Sequence, residues 1–231
     1  MKGGAAIFVK TPGRSPVKSR LAAGIGRADA EEWYRQAAAA VAATVKSVPG
    51  LEGYWAVAEP AGRAGQDDGE AEEWTGLPRL EQGPGELGPR MGRVHAALLA
   101  RHPFAVLLGA DAPQLDVAVL EPATAWLAAS EPRLVMGPAR DGGFWLLGTN
   151  RPVPPAAWSA APCGRPDTAA GFRAAFASLG EWRLLPALTD VDHAHDLVPM
   201  LAELERLASP CPEQVALGDR TRALLRRMGY A

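Results

Sequence analysis

Short apolar runs that alternate with longer helical patterns constrain this chain more than any other feature of its sequence. The runs at residues 5–9, 54–58, 104–109, 134–137, 144–148 and 182–185 have the length and composition of buried strands. Between the first two, residues 28–48 space Trp33, Ala37, Ala40, Val41, Thr44, Val45 and Val48 at helical intervals behind an acidic start. Further helices are expected over residues 90–100, 117–129, 168–179 and 195–207, and a last one from about 213 to 228, after Pro210 and Pro212. Strands and helices in alternation read as βα units, whose parallel strands need helices on both faces. The expected fold is therefore α/β, a three-layer α/β/α sandwich around a mostly parallel mixed sheet.

A chain of 231 residues fits one such domain, and 48% hydrophobic with 22% charged residues excludes wholesale disorder. A formal net charge of -2 gives no general reason to expect nucleic acid or an acidic membrane surface as partner. Phosphate binding would have to come from local charge placement. The opening MKGGAAIFVK is too short an apolar stretch for a secretion signal, and no run reaches bilayer length, so a soluble cytoplasmic protein without membrane insertion is expected. Cys163 and Cys211 lack CxxC spacing and indicate neither a zinc site nor a disulfide framework. Residues 61–70 read as an exposed acidic, Gly-rich loop and residues 151–166 as a second, proline-stiffened one. The arginines of the last helix, Arg220, Arg222, Arg226 and Arg227, read as a solvated face.

Particular stretches carry the chemistry. KTPGRSPVKSRL, directly after the first strand, sets Lys10, Arg14, Lys18 and Arg20 on or beside one strand-to-helix loop with no acid among them. Loops at the carboxyl ends of parallel strands are where open sheets bind ligands, and cations there suit a polyphosphate. The alternative is a solvated basic loop. No GxxxxGK[ST] occurs, and the GIG at 24–26 follows no strand, so neither nucleotide fingerprint applies. In FAVLLGADAP a buried-type strand ends at Asp111. A carboxylate there is costly without a counter-ion, and a hard cation such as Mg²⁺ prefers such oxygens. Asp111 could instead cap the next helix, but Asp116 already offers that cap.

GPARDGGFWLLG turns between two strands at Asp141, Gly142 and Gly143. The turn serves as a hairpin connection, or it lets backbone approach a ligand while Asp141 accepts a hydrogen bond from a hydroxyl. A carboxylate near pKa 4 is a weak base at neutral pH, so orientation of the acceptor is expected of Asp141 more than proton transfer. LTDVDHAHDL crowds Asp190, Asp192, His193, His195 and Asp196 after the last strand. No HExxH accompanies them, which favours a second Mg²⁺ carboxylate over zinc. Asp196 suits a cap or first-turn acid.

Taken in order, these motifs resemble the DUF2064 group of the GT-A nucleotide-diphospho-sugar transferase fold, described as glycosyltransferases and related to guanylyltransferases of cofactor biosynthesis. The resemblance spans roughly residues 5–207. It rests on Lys10, Pro12 and VKSRL, on GADAPQL, on GPARDGGFWLLG, on DVDHAHDL and on QGPGELGPRM from Gln82 to Met91. Ser15, Ser19 and His193 depart from the family pattern. The resemblance implies a divalent cation, Mg²⁺ or Mn²⁺, held by Asp111 and Asp192. It implies that Lys10, Lys18 and Arg20 meet the phosphates and that Gln82 with Gly83 lies near the base. Trp158 and Thr168 resemble residues on the acceptor side. The implied protein is a transferase using a nucleotide donor, an NDP-sugar or an NTP, and an unnamed acceptor. Glycosyl transfer, nucleotidyl transfer with pyrophosphate release, and a non-catalytic nucleotide-binding module are the alternatives. Lys18, Arg20 and Asp141 are the expected catalytic residues. The expected transferase domain covers residues 1–208, with 209–231 as a C-terminal helical extension, and a homodimer is left open.

Overall fold

The computed structural model describes residues 1–60, 73–161 and 163–230, so the loop expected over 61–70 lies outside the described residues. The chain opens with β1 (Gly3–Val9), α1 (Ser19–Ile25), α2 (Arg27–Ser47), β2 (Leu51–Val57) and β3 (Arg79–Glu81). It continues through α3 (Leu87–Leu99), β4 (Ala105–Gly109), α4 (Val117–Leu127), β5 (Arg133–Pro138) and β6 (Phe144–Thr149). Then follow α5 (Pro155–Ala160), α6 (Thr168–Ala175), β7 (Glu181–Leu184), a 3-10 turn at Ala194–Asp196, α7 (Leu197–Leu204) and α8 (Pro212–Arg227).

One seven-stranded sheet runs in the order β3-β2-β1-β4-β6-β5-β7. Among the described residues only β6 runs antiparallel to the rest, pairing with β4 and β5, so the mostly parallel mixed sheet expected from the sequence is the one observed. Alternation along the strands sorts side chains to two faces. Ala5, Ile7 and Val9 join Val106 and Leu108 under Tyr34, Val41 and Val45 of α2, while Ala6 and Leu107 face Met91, Val94 and Leu98 of α3. A third apolar cluster joins Leu21, Trp33, Met200 and Leu217, so α8 packs on α2 and α7. Arg226 and Arg227 are exposed, whereas Arg220 is part-buried; Arg220 and Arg227 pair with Asp29, and Arg222 with Glu205 and Asp219.

Where the sequence reading differs from the structure, local chemistry explains it. The proline-stiffened loop contains α5, because Pro155 stands in the first turn, where no backbone donor is needed. Gly88 of α3 admits this helix closely, since a Cβ there would lie 2.1 Å from the Trp158 carbonyl oxygen. β3 is an edge strand of three residues without the alternation that marks longer strands. The helix expected over 195–207 divides into the 3-10 turn and α7, and α6 ends before residue 179. No helix among the described residues is long and apolar enough to cross a membrane.

Candidate active site

Strand polarity brings the carboxyl ends of β1, β3, β4, β5 and β7 to one edge of the sheet. Chain order reverses between β1 and β4, the place where open α/β sheets form their ligand crevice. The loop after β1 is pinned there. The Lys10 N–H donates to the Tyr34 hydroxyl at 3.0 Å and the Thr11 N–H to Glu59 at 2.9 Å. Burial pushes the Tyr34 phenol up, reinforced by the charge of Asp111. Burial also acts to raise Glu59, but hydrogen bonds from Ser15 and Thr11 outweigh it and hold the carboxyl below its usual range.

Lys18 adopts left-handed backbone, φ 46° and ψ 41°, the one non-glycine with positive φ among the described residues. Such a conformation persists only where the surroundings over-determine it. Here they do. The Lys18 side chain is 4% exposed, and its Nζ lies 2.8 Å from Asp111, 3.3 Å from Asp192 and 2.5 Å from the Val191 carbonyl oxygen. An ammonium has three donors, and these contacts occupy all of them. Burial acts to lower its pKa, but Asp111, Asp190 and Asp192 together hold it above its ordinary value. Arg20 is exposed and meets Asp192 at 3.1 Å.

Carboxylate oxygens of Asp111, Asp190 and Asp192 lie within 4.8 Å of one another. The Val191 N–H donates to the Asp111 carbonyl oxygen at 3.3 Å and ties the loops after β4 and β7 together. Asp196 holds the second loop from behind, accepting from the Asp192 and His193 N–H groups at 3.0 and 2.7 Å, the capping role expected of it. Asp116 likewise caps α4 through the Ala118 N–H, leaving Asp111 without that duty. One buried ammonium does not neutralise three carboxylates. Burial first, and then the charge of Asp111, push Asp190 up to about 7, against the pull of Lys18. Asp111 Oδ1 is buried with no hydrogen-bond partner among the described residues. Surplus negative charge, an unmet oxygen and an all-oxygen donor set fit a hard divalent cation. Asp111, Asp190 and Asp192 are the residues that could hold it.

Two cavities open on either side of this cluster and share Phe8, Arg20, Leu87, Gly109 and Asp192 in their walls. The smaller, about 430 Å³, is also lined by Lys10, Lys18, Gln82, Arg90 and Asp111. Gln82 is buried, and its Nε2 donates to the Val9 and Ala56 carbonyl oxygens at 3.2 and 2.7 Å, so it also holds the ends of β1 and β2. Gly83 lies beneath Arg93, whose Nε donates to the Gln82 carbonyl oxygen. Arg14 belongs to the turn after β1 and does not line either cavity.

The larger cavity, about 620 Å³, has Met91, Leu107, Phe144, Asp141, Arg165 and Thr168 in its wall. Asp141 connects antiparallel β5 and β6 by accepting the Gly143 N–H at 2.9 Å, so hairpin and cavity-lining residue coincide. Gly142 has φ 91°, and a Cβ there would fall 1.8 Å from the Pro166 carbonyl oxygen, which closes this wall tightly. Trp158 does not line the cavity: it is buried among His95, Phe172 and Phe176. Asp190 and Arg90 went unassigned in the sequence. The TDVD spacing was the available signal for Asp190, since alternate residues leaving a strand can share one side.

The chain belongs to a protein family described as uncharacterized and conserved in bacteria (DUF2064), whose model matches residues 42–165. GADAPQL and GPARDGGFWLLG fall inside that match, while the Lys10–Leu21 and Thr189–Asp196 segments fall outside it. Among solved structures, a protein provisionally designated a nucleotide-diphospho-sugar transferase, from Desulfovibrio desulfuricans G20, is 23% identical with a TM-score of 0.79 and 99% of each chain covered. The 4-diphosphocytidyl-2C-methyl-D-erythritol synthase of Anaerococcus prevotii DSM 20548 is 12% identical with a TM-score of 0.52, covering 89% of this chain and 97% of that one. A cytidylyltransferase from Leptospira borgpetersenii serovar Hardjo-bovis (strain JB197) is 14% identical with a TM-score of 0.51, covering 98% and 94%. No curated protein matches the chain. The fold is thus that of the nucleotide-diphospho-sugar transferases, of the GT-A type expected from the motifs.

Proposed function

We propose that the protein is a metal-dependent glycosyltransferase that takes a nucleotide sugar and passes the sugar to a hydroxyl of a small-molecule acceptor. One observation carries the reading: the acidic cluster and its cations form the wall between two cavities, so donor and acceptor could meet across it. In this reading the nucleotide occupies the smaller cavity, its base toward Gln82 and Gly83 and its phosphates toward Lys10 and Arg20, while Arg14, off the cavity wall, and Lys18, enclosed by carboxylates, do not reach them. The acceptor occupies the larger one. Asp111, Asp190 and Asp192 would hold Mg²⁺ or Mn²⁺, which when bound neutralises charge on the diphosphate.

The roles of the chain's own groups follow from their settings. Lys18, enclosed by carboxylates, keeps Asp111 and Asp192 converged and screens their repulsion. Arg20, exposed on the shared wall, is available to the charge that builds on the departing nucleoside diphosphate. Asp141 accepts a hydrogen bond from the acceptor hydroxyl and orients its oxygen toward the sugar carbon. The transferase unit is proposed to span residues 1–208, with 209–231 as a helical extension packed on it.

Nucleotidyl transfer is a second reading, favoured by the likeness of fold to cytidylyltransferases. In that case an acceptor phosphate attacks the α-phosphate and pyrophosphate leaves. Incubation with Mn²⁺, a panel of nucleotide sugars and NTPs, and mixed hydroxyl and phosphate acceptors separates the two. Release of nucleoside diphosphate from a nucleotide sugar is expected. Pyrophosphate from an NTP with no such release would establish the second reading. Failure of every donor to bind would overturn both.

A further inference from the structure

We infer that Arg90 is the principal protein group that grips the phosphates of the nucleotide donor, an inference that rests on the smaller cavity being the donor's. Of the cations of the loop after β1 that line this cavity, Lys18 and Arg20 already meet carboxylates, while Lys10 is a single flexible ammonium. Lys18 has given its donors to Asp111, Asp192 and the Val191 carbonyl oxygen and is buried against them. Arg20 leans on Asp192. Arg90 is different. It stands in the first turns of α3 and lines the same cavity, as does Leu87 of that helix.

Its guanidinium makes no ion pair or hydrogen bond among the described residues, and its Nε is buried without a partner. Arg93, one turn along the same helix, shows the contrast: its Nε donates to the Gln82 carbonyl oxygen and its terminal nitrogen to that of Pro84. Burial presses the Arg90 pKa down and the nearby Arg93 adds to this, against the opposing pull of Glu59. Arg90 is part-buried, but an orphaned buried donor such as its Nε is a costly arrangement, and most buried polar groups in native structures have a partner. A guanidinium offers a planar fork of donors that matches two phosphate oxygens at once. Arg90 shares the cavity wall with Asp111 and Asp192, so it would hold one part of a diphosphate while the acidic residues and their cation hold another.

Titration calorimetry in Mn²⁺ tests this with ADP, CDP, GDP and UDP as probes, on the wild type, Arg90→Gln and Arg90→Lys. Thermal unfolding of the same proteins reports their integrity. The glutamine variant is expected to bind the preferred diphosphate roughly 10- to 150-fold more weakly, the range for losing a hydrogen bond to a charged group. The lysine variant should fall between, with both midpoints near that of the wild type. Wild-type affinity in Arg90→Gln overturns the inference while leaving the glycosyltransferase reading intact. So does a loss of binding that tracks a lowered midpoint and is not relieved in Arg90→Lys, because that pattern belongs to a structural arginine. If the wild type binds none of the diphosphates, the donor-cavity reading fails and the inference with it.

Discussion

The single carboxylate of Glu203 and the cluster of Asp111, Asp190 and Asp192 both belong to the region where β7 leads into α7, and they are built in opposite ways. Glu203, on α7, is 12% exposed and surrounded by donors. It accepts from the Thr189 N–H at 2.9 Å, the Thr189 hydroxyl at 3.0 Å, Gln114 at 2.9 Å and Arg140 at 2.8 Å. Burial acts to raise its pKa, but these donors win and hold it low. Asp111, Asp190 and Asp192 crowd together with one buried ammonium, an unmet oxygen, and a carboxyl at Asp190 pushed up to about 7. An acid whose needs are met inside the fold is a strut. An acid cluster that the fold leaves unmet is completed by something that binds.

Substitutions can break that contrast. The largest effect is expected at the unmet cluster: Asp111→Asn should lower kcat/KM with the active donor on the order of 100-fold in a protein that thermal unfolding shows to be folded at the assay temperature. Loss of stability without loss of turnover would make Asp111 a strut as well. Next comes Glu203→Gln, which leaves Thr189 and Arg140 with a weaker acceptor. It should cost about 2 kcal/mol in urea unfolding and leave nucleotide affinity unaltered. A variant as stable as the wild type would show that the donors around Glu203 are not holding the frame.

Asp190 supplies the pH test. Its folded pKa of about 7 exceeds the ordinary 3.8, so the native state binds a proton that the unfolded chain releases between those values. The stability this contributes is complete below about pH 4 and is lost as pH rises through about 7. In metal-free buffer at pH 8, Asp190→Asn should therefore be more stable than the wild type by about 1 kcal/mol or more, and the gain should vanish near pH 4. A gain that persists at pH 4 would assign the effect to packing. The smallest change is expected at Asp141. Asparagine keeps an acceptor oxygen for the Gly143 N–H, so Asp141→Asn should reduce turnover by less than about tenfold without weakening donor binding. Damage equal to that of Asp111→Asn would make Asp141 the base.

Much of the unmet cluster was legible in the sequence, and almost none of the satisfied one. Asp111 announced itself because an acid at the end of a buried strand has no cheap structural explanation once Asp116 takes the cap. Asp192 stood in a crowd of acids after the last strand. Asp190 stood in the same crowd, but its depth between Asp111 and Lys18 is a tertiary fact. Glu203 gave no signal, since an acid on a helix ordinarily faces water, and the Thr189, Gln114 and Arg140 that meet it come from distant parts of the chain. The same holds for Arg90, which the helical pattern alone leaves as a solvated residue. The sequence marked Lys18 only as one cation of a basic loop, while its left-handed backbone and enclosure by carboxylates depend on the loops after β4 and β7. In the fold, long alternations were readable, whereas β3 is too short for any periodicity to show.

The unmet acids are proposed to form a cation site that serves a nucleotide. The most direct test is the affinity of wild type and Asp111→Asn for the preferred nucleoside diphosphate, measured by titration calorimetry with Mn²⁺ and with chelator. Mn²⁺ is expected to tighten wild-type binding by at least about tenfold, through charge neutralisation between carboxylates and phosphate oxygens, and to have no such effect on Asp111→Asn. Equal affinity with and without Mn²⁺ in both proteins would contradict the proposal.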